Sequence, residues 1–243
     1  MLIALISGRK SMKTTAASLI CHALAARTAP QSYEPIGYDA DSANHFKMWA
    51  DEAEDNEALE EYPFPVHSVA HNRFQKAVVR EYPHEGKVGV VDTGHMEDHV
   101  PIAKSVLMAS DVAILVLEPT FNETERLVKQ LSLSTIMRDV DKQRANEGKR
   151  PLRRLIMLSK YYSATRDWEE VRDDILDQQV EKDEHGDPGA WLGWEILSTK
   201  IPYRADLSRV DAFNPPSPAL ARKMGFDELI TELEQKGILQ HDV

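Results

Sequence analysis

The sequence predicts an α/β fold, a mostly parallel sheet of about seven strands with helices on both faces. Three observations predict it. Short apolar runs alternate with longer, helix-like segments from one end of the chain to the other. The length of 243 residues and the 42% hydrophobic content suit one α/β domain with a sizeable core. No internal repeat and no domain break interrupts residues 1–243, so a single domain is expected.

The elements follow in order. "LIALIS" (2–7) is apolar, is bounded by Gly8 and reads as a buried strand. "KTTAASLICHALAA" (13–26), rich in Ala and Leu, reads as a helix. "YEPIGYDAD" (33–41) carries a second strand ending in two aspartates. The acidic "ANHFKMWADEAEDNEALEEY" reads as a helix with a solvated face. "PVHSVA" (65–70) is a short strand, followed by a helix through "HNRFQKAVVREY". "KVGVVDT" (87–93) is a strand, "HVPIAKSVLMAS" (99–110) a helix, and "DVAILVLEP" (111–119) the most apolar strand of all. One long helix is expected from about Glu123 to Asn146. Then come a strand at 153–159, a helix at 166–179 and a last strand "WEILSTKIP" (194–202). An amphipathic helix, "FDELITELEQKG" (226–237), closes the order. "NEGKRP" and "NPPSP" read as loops.

Composition excludes several classes. A single cysteine, Cys21, leaves neither an internal disulfide framework nor a Cys-rich metal site. No apolar run approaches a membrane span, and "MLIALIS" lacks the basic flank and length of a signal peptide. A soluble, cytoplasmic protein without membrane attachment is the expectation. With 29 Lys and Arg against 40 Asp and Glu, the net charge is -11. Nucleic acid could then be held only by a local basic patch. "KQRANEGKRPLRR" (142–154) is the candidate, with Lys149, Arg150, Arg153 and Arg154 at its centre. A helix end followed by a loop would carry the same charges, because cations favour a helix C-terminus.

The chemistry concentrates in three places. "ALISGRKSMKTTAASLICHALA" (4–25) has the outline of a phosphate-binding loop: an apolar strand, a turn, then Lys13-Thr14-Thr15 opening a helix. In such a loop backbone N–H groups wrap phosphates at a helix N-terminus, a lysine reaches the outer phosphates, and the next hydroxyl binds magnesium. Against G-x-x-x-x-G-K-[ST], Ser7 and Met12 stand at the two glycine positions. If Met12 had to adopt a positive φ, the cost would be roughly 1–2 kcal/mol. A helix that merely begins with Lys-Thr-Thr is the other reading of this stretch. "GYDAD" places Asp39 and Asp41 at the carboxyl end of the second strand, the edge where α/β sheets bind ligands. "VGVVDTG" ends a strand on Asp92, the form of a magnesium-holding carboxylate. A strand-ending aspartate can equally be a cap. Three such features in order point to one metal–phosphate site.

The three segments G8-R-K-S-M-K-T-T15, D39-A-D-S-A43 and G89-V-V-D-T-G94 resemble the ParA/MinD family of deviant Walker A ATPases. In that family they read K-G-G-x-G-K-T-T, D-x-D-P-Q and h-h-h-D-[TS]-[PA]. "AKSVLMASDVAILVLEPT" and "ILSTKIPYRADLSRV" are similar to later family segments, so the resemblance covers nearly the whole chain. It implies a three-layer P-loop NTPase fold, with ATP and Mg2+ as cofactors. By position, Gly8, Arg9, Lys10, Ser11, Met12, Lys13, Thr14 and Thr15 would wrap the nucleotide, and Pro202 would lie near the adenine. Thr14, Asp39 and Asp92 would serve the metal, and Asp41 with Lys13 the hydrolysis. The family's signature lysine, which reaches across a nucleotide-sandwich dimer, falls on Gly8, with Arg9 or Lys10 as substitutes if the loop is re-registered. The resemblance further implies a role in partitioning plasmid, phage or chromosomal DNA. It brings a nucleotide-dependent homodimer, non-specific DNA binding and a centromere-binding ParB-like adaptor. Two other readings stay open: a scaffold or regulator of the same fold with little hydrolysis, and a ligase- or amidotransferase-type synthetase. The iron–sulfur relatives are disfavoured, since their cluster needs two cysteines per subunit. His95 could face a terminal phosphate or be an ordinary loop histidine.

Overall fold

The computed structural model describes residues 1–8, 11–28, 31–70, 73–78, 87–160, 166–180, 189–211 and 213–239. Seven strands form one sheet: β1 (Leu2–Ile6), β2 (Glu34–Ala40), β3 (Val66–Ser68), β4 (Lys87–Thr93), β5 (Val112–Leu117), β6 (Arg153–Leu158) and β7 (Trp194–Ile196). Their order is β3-β2-β4-β1-β5-β6-β7, and every pairing is parallel. The expected "mostly parallel" sheet is therefore parallel throughout. The helices are α1 (Lys13–Ala25), α2 (His45–Asp55), α3 (Phe74–Val78), α4 (Val100–Ala109), α5 (Phe121–Glu125), α6 (Leu133–Asn146), α7 (Asp167–Asp177), α8 (Pro218–Lys223) and α9 (Phe226–Gln235).

The strands read as continuous apolar runs because both faces are covered. Ile3 and Leu5 of β1, Val88 and Val90 of β4, and Val112, Ile114 and Val116 of β5 join α1, α2, α8 and α9 in one core. Leu2, Ala4 and Ile6, with Val91, Ala113, Leu115 and Leu117, join α3, α4, α6 and α7 in the other. Cys21 is fully buried on the first side. The acidic helix α2 ends at Asp55, short of the expected Tyr62, and residues 56–62 form turns and irregular chain; within it Phe46, Trp49 and Ala53 are buried, while Glu54 and Asp55 are exposed.

The structure revises two further elements and adds one. The long helix from Glu123 is broken. α5 runs into a π-helical turn, Arg126–Gln130, and Ser132 at φ 52 separates that turn from α6. Strand β7 ends at Ile196 instead of 202, because the Glu232 carboxylate takes the N–H groups of Ser198 and Thr199 at 2.7 and 2.8 Å. α8 is an added element that starts on the last residue of the "NPPSP" loop: the Ser217 hydroxyl caps Leu220 N and Pro218 fills the first helical position. Of the helix expected through "HNRFQKAVVREY", only Phe74–Val78 lies inside a described helix; residues 71–72 and 79–82 lie outside the described residues.

This topology creates the site. β1 sits centrally, flanked by β4 and β5, with α1 on one face of the sheet and α4 on the other. Crossovers that leave a sheet on opposite faces open a crevice at the carboxyl ends of the strands between them. The ends of β1, β4 and β2 line that crevice.

Candidate nucleotide site

β1 delivers Ser7 and Gly8 to the crevice, and α1 starts at Lys13. Arg9 and Lys10 lie outside the described residues. Met12 has φ -68 and ψ 32, so the left-handed conformation considered for it does not occur and no such strain is paid. Its side chain is buried in the first core. Replacing it with glycine would empty a core position rather than relieve a strained one. Ser11 Oγ is buried without a hydrogen-bond partner. Thr14 and Thr15 stand half-buried in the first turn of α1.

The Lys13 side chain is 3% exposed, and its ammonium lies 2.6 Å from Asp92 Oδ1, whose side chain is 1% exposed. It also donates to Thr93 O. Asp92 Oδ2, equally buried, has no hydrogen-bond partner. Asp39 lies directly beside Asp92 in the β2–β4 register. Asp39 accepts Asp41 N on Oδ1 and Lys47 N on Oδ2, both at 3.0 Å. Burial, and then the charge of Asp92, push the Asp39 carboxyl up from 3.8 to about 6. Asp41 caps its own turn, with Oδ1 accepting Ala43 N at 3.1 Å. Lys13, Asp39, Asp41 and Asp92 are thus brought to one edge through direct contacts. Pro202 lies six residues beyond the end of β7, a strand three places from β1 in the sheet, and no contact joins it to these residues among those described.

Among the described residues, no three of His, Cys, Asp and Glu form a ready metal cluster. That suits magnesium, which takes one or two carboxylates and completes its octahedron with water and phosphate oxygens. The unsatisfied Asp92 Oδ2 and the neighbouring Asp39 are two carboxylates at this edge that a cation could meet.

The first loop also touches a group that the sequence reading missed. A Cβ at Gly8 would lie 2.8 Å from Glu123 Oε1 and 3.2 Å from Arg126 Nη2. Arg126 pairs with Glu123 and, at 3.1 Å, with Glu97 of the β4–α4 loop. The Glu123/Arg126 spacing was the available signal; its place beside Gly8 depends on the π-helical turn. A side chain at position 8 would have to push aside the ends of the Glu123, Leu127 and Arg126 side chains.

The basic stretch is largely committed inside the molecule. Arg154 pairs with Asp141, Arg153 with Glu195, and Lys149 with Glu147 and with Met108 O. Arg144 is buried. Arg150 and Lys142 are exposed. Arg153 and Arg154 open β6, at the end of the sheet opposite the crevice.

No family model and no curated protein matches the sequence. Solved structures do match in fold. A putative plasmid partition protein from Borrelia burgdorferi, bound to AMPPNP, superposes with TM-score 0.64 at 12% identity, over 97% of this chain and 98% of that one. The MinD cell division protein of Aquifex aeolicus gives 0.55 at 18% identity, over 98% and 97%. The fold is that of the ParA/MinD-type P-loop ATPases. Cobyrinic acid a,c-diamide synthase from Mycobacterium smegmatis, with bound ADP and magnesium, gives 0.59 at 14% identity, over 97% and 96%. The same fold therefore serves segregation proteins and a biosynthetic enzyme, and function has to be argued from the site.

Asp39 makes a pH prediction for the magnesium-free protein. A carboxyl raised to about 6 in the fold and near 3.8 when unfolded binds its proton more tightly in the folded state. Its contribution to stability is therefore greatest below about pH 4 and falls as pH rises to about 6. Asp39→Asn removes this dependence and leaves a constant offset from the altered acceptor. Urea unfolding of both proteins in chelator should show their stability difference moving in favour of the variant by roughly 2–3 kcal/mol between pH 4 and 7. A difference flat across that window would refute the raised carboxyl.

Proposed function

We propose that this chain is a ParA-like ATPase of DNA partition, which binds ATP–magnesium weakly and hydrolyses it slowly. The observation that carries the reading is the contact of Lys13 with Asp92, beside Asp39 and Asp41, at the carboxyl edge next to the first loop. In this reading Lys13 meets the outer phosphates, with residues 8–15 around them and Pro202 toward the base. Thr14, Asp39 and Asp92 hold magnesium through hydroxyl, carboxylate and water. Bound magnesium would neutralise phosphate charge as it develops. Asp41 orients the attacking water. Nucleotide binding would favour a homodimer, a ParB-like adaptor would stimulate turnover, and the protein would work in the cytoplasm. Two structural neighbours support the nucleotide: the Borrelia protein is bound to AMPPNP, and the synthase to ADP with magnesium.

A second reading, a scaffold with little turnover, is favoured by one observation. The phosphate lysine is tied down by Asp92 and by Thr93 O, so ATP has to displace it. Calorimetry with ATP, with and without magnesium, followed by a phosphate-release assay, separates the two. Magnesium-dependent binding with measurable release supports the ATPase, binding without release supports the scaffold, and no binding to either form defeats both. Non-specific DNA binding is best tested with Arg150→Glu and Lys142→Glu, because reversing Arg153 or Arg154 breaks internal ion pairs. Salt-sensitive retention of duplex DNA at low salt should fall in that double variant.

A further inference from the structure

We infer that His99 is a positioning residue for hydrolysis, holding the loop that carries Asp41. This rests on the reading of the site as one that cleaves ATP. His99 stands immediately before α4, and its amide donates to His95 O at 3.0 Å, closing the turn that leaves β4. That turn brings its ring back over the sheet edge, with Nε2 at 3.4 Å from Ser42 Oγ. A Cβ built on Gly94 would lie 2.9 Å from His99 Cδ2 and 3.5 Å from Asp41 Oδ1. Ring and carboxylate thus both lie beside the position that a side chain at Gly94 would take.

The Asp41 loop needs such a support. On its inner side it is tied by Asp39, which accepts the Asp41 amide at 3.0 Å. Its far end is Asn44 at φ 57, a left-handed conformation that asparagine tolerates and that turns the chain into α2. On the side facing β4, among the described residues, the imidazole beside Gly94 is a contact that limits its movement. A carboxylate that orients a water must be held within about half an ångström, which the supporting contacts rather than the carboxylate provide. His99 supplies them through packing on Gly94 and the hydrogen bond to Ser42.

The test compares wild type, His99→Ala, His99→Gln, Ser42→Ala and Gly94→Ala in ATP calorimetry and steady-state phosphate release. His99→Ala should lower kcat at least tenfold with KM for ATP within threefold. His99→Gln, whose amide can reach the same hydroxyl, should keep a third or more of kcat. Gly94→Ala should behave as His99→Ala, because the added methyl displaces the ring. Ser42→Ala, at an exposed position that does not threaten folding, should lower kcat severalfold at unchanged KM. Values of kcat within twofold of wild type in both His99→Ala and Ser42→Ala overturn the inference. So does a rise in KM that matches the loss in kcat, which marks a collapsed site. Wild type that binds ATP–magnesium without turnover overturns this inference and leaves nucleotide binding standing. Wild type that binds no ATP overturns both.

Discussion

Lys13→Met should destabilise the fold by about 3–5 kcal/mol, as well as remove ATP binding. The lysine and Asp92 are both almost fully buried and lie 2.6 Å apart. Removing the cation leaves a carboxylate in the interior with one oxygen newly unpaired and the other already without a partner. A buried charge stranded in this way is costly, whereas replacing both members of a buried pair is often close to neutral. The double variant Lys13→Met/Asp92→Leu should therefore recover more than half of the loss in urea unfolding, while ATP binding stays absent. If the double variant is as unstable as the sum of the singles, the pair is not the unit argued here. The result also bears on the weak binding proposed for ATP. A lysine that holds Asp92 in the free protein has to exchange that partner for phosphate, and the exchange subtracts from affinity. Magnesium at the vacated carboxylate would offset part of it.

The fold and part of the site were legible because they depend on local pattern. Apolar runs such as "LIALIS" and "VAILVL" lie in the centre of the sheet, and Lys-Thr-Thr opens α1 where the strand before it ends. Asp39, Asp41 and Asp92 converge because parallel strands present their carboxyl ends on one edge. What was not legible depends on three-dimensional neighbours. Nothing local marks Asp92 as the partner of Lys13, 79 residues away; the β4–β1 pairing makes it so. Met12 looked like a strained replacement for glycine, but its φ is ordinary and its side chain belongs to the core. The break at Ser132 is hidden in "QLSLST", where no Gly or Pro announces it. The Ser217–Pro218 helix start was readable by the capping rule and was missed because the prolines around it suggested a loop.

The basic stretch 142–154 shows where counting charges fails, and Arg144→Met tests it. Arg144 Nη1 donates to Leu107 O, Met108 O and Ser110 O at 3.0, 3.2 and 2.7 Å. Its Nε and Nη2 both donate to Arg150 O, at 3.0 and 2.8 Å. The guanidinium thus closes the C-terminus of α4, where the helix leaves its carbonyls unsatisfied and its dipole favours a cation. It also fastens the loop that leads into β6. The fixed fork of donors makes this an arginine task, since a lysine offers a point charge and fewer donors. Arg144→Met should cost about 3–4 kcal/mol, because several buried carbonyls lose a charged donor at once. Arg144→Lys should recover less than half of that. Arg150→Glu, at an exposed side chain, should change stability by no more than about 0.5 kcal/mol. Urea unfolding of the three variants is the measurement. A loss below about 1 kcal/mol for Arg144→Met would show that the carbonyls find water instead, and would return Arg144 to the pool of cations available for DNA. With the expected loss, duplex binding in this stretch falls to the exposed Arg150 and Lys142, two charges on a chain of net charge -11. Binding that weak in the monomer would need the second copy of the patch that a nucleotide-dependent dimer brings, so DNA retention should rise with ATP–magnesium and vanish in Lys13→Met.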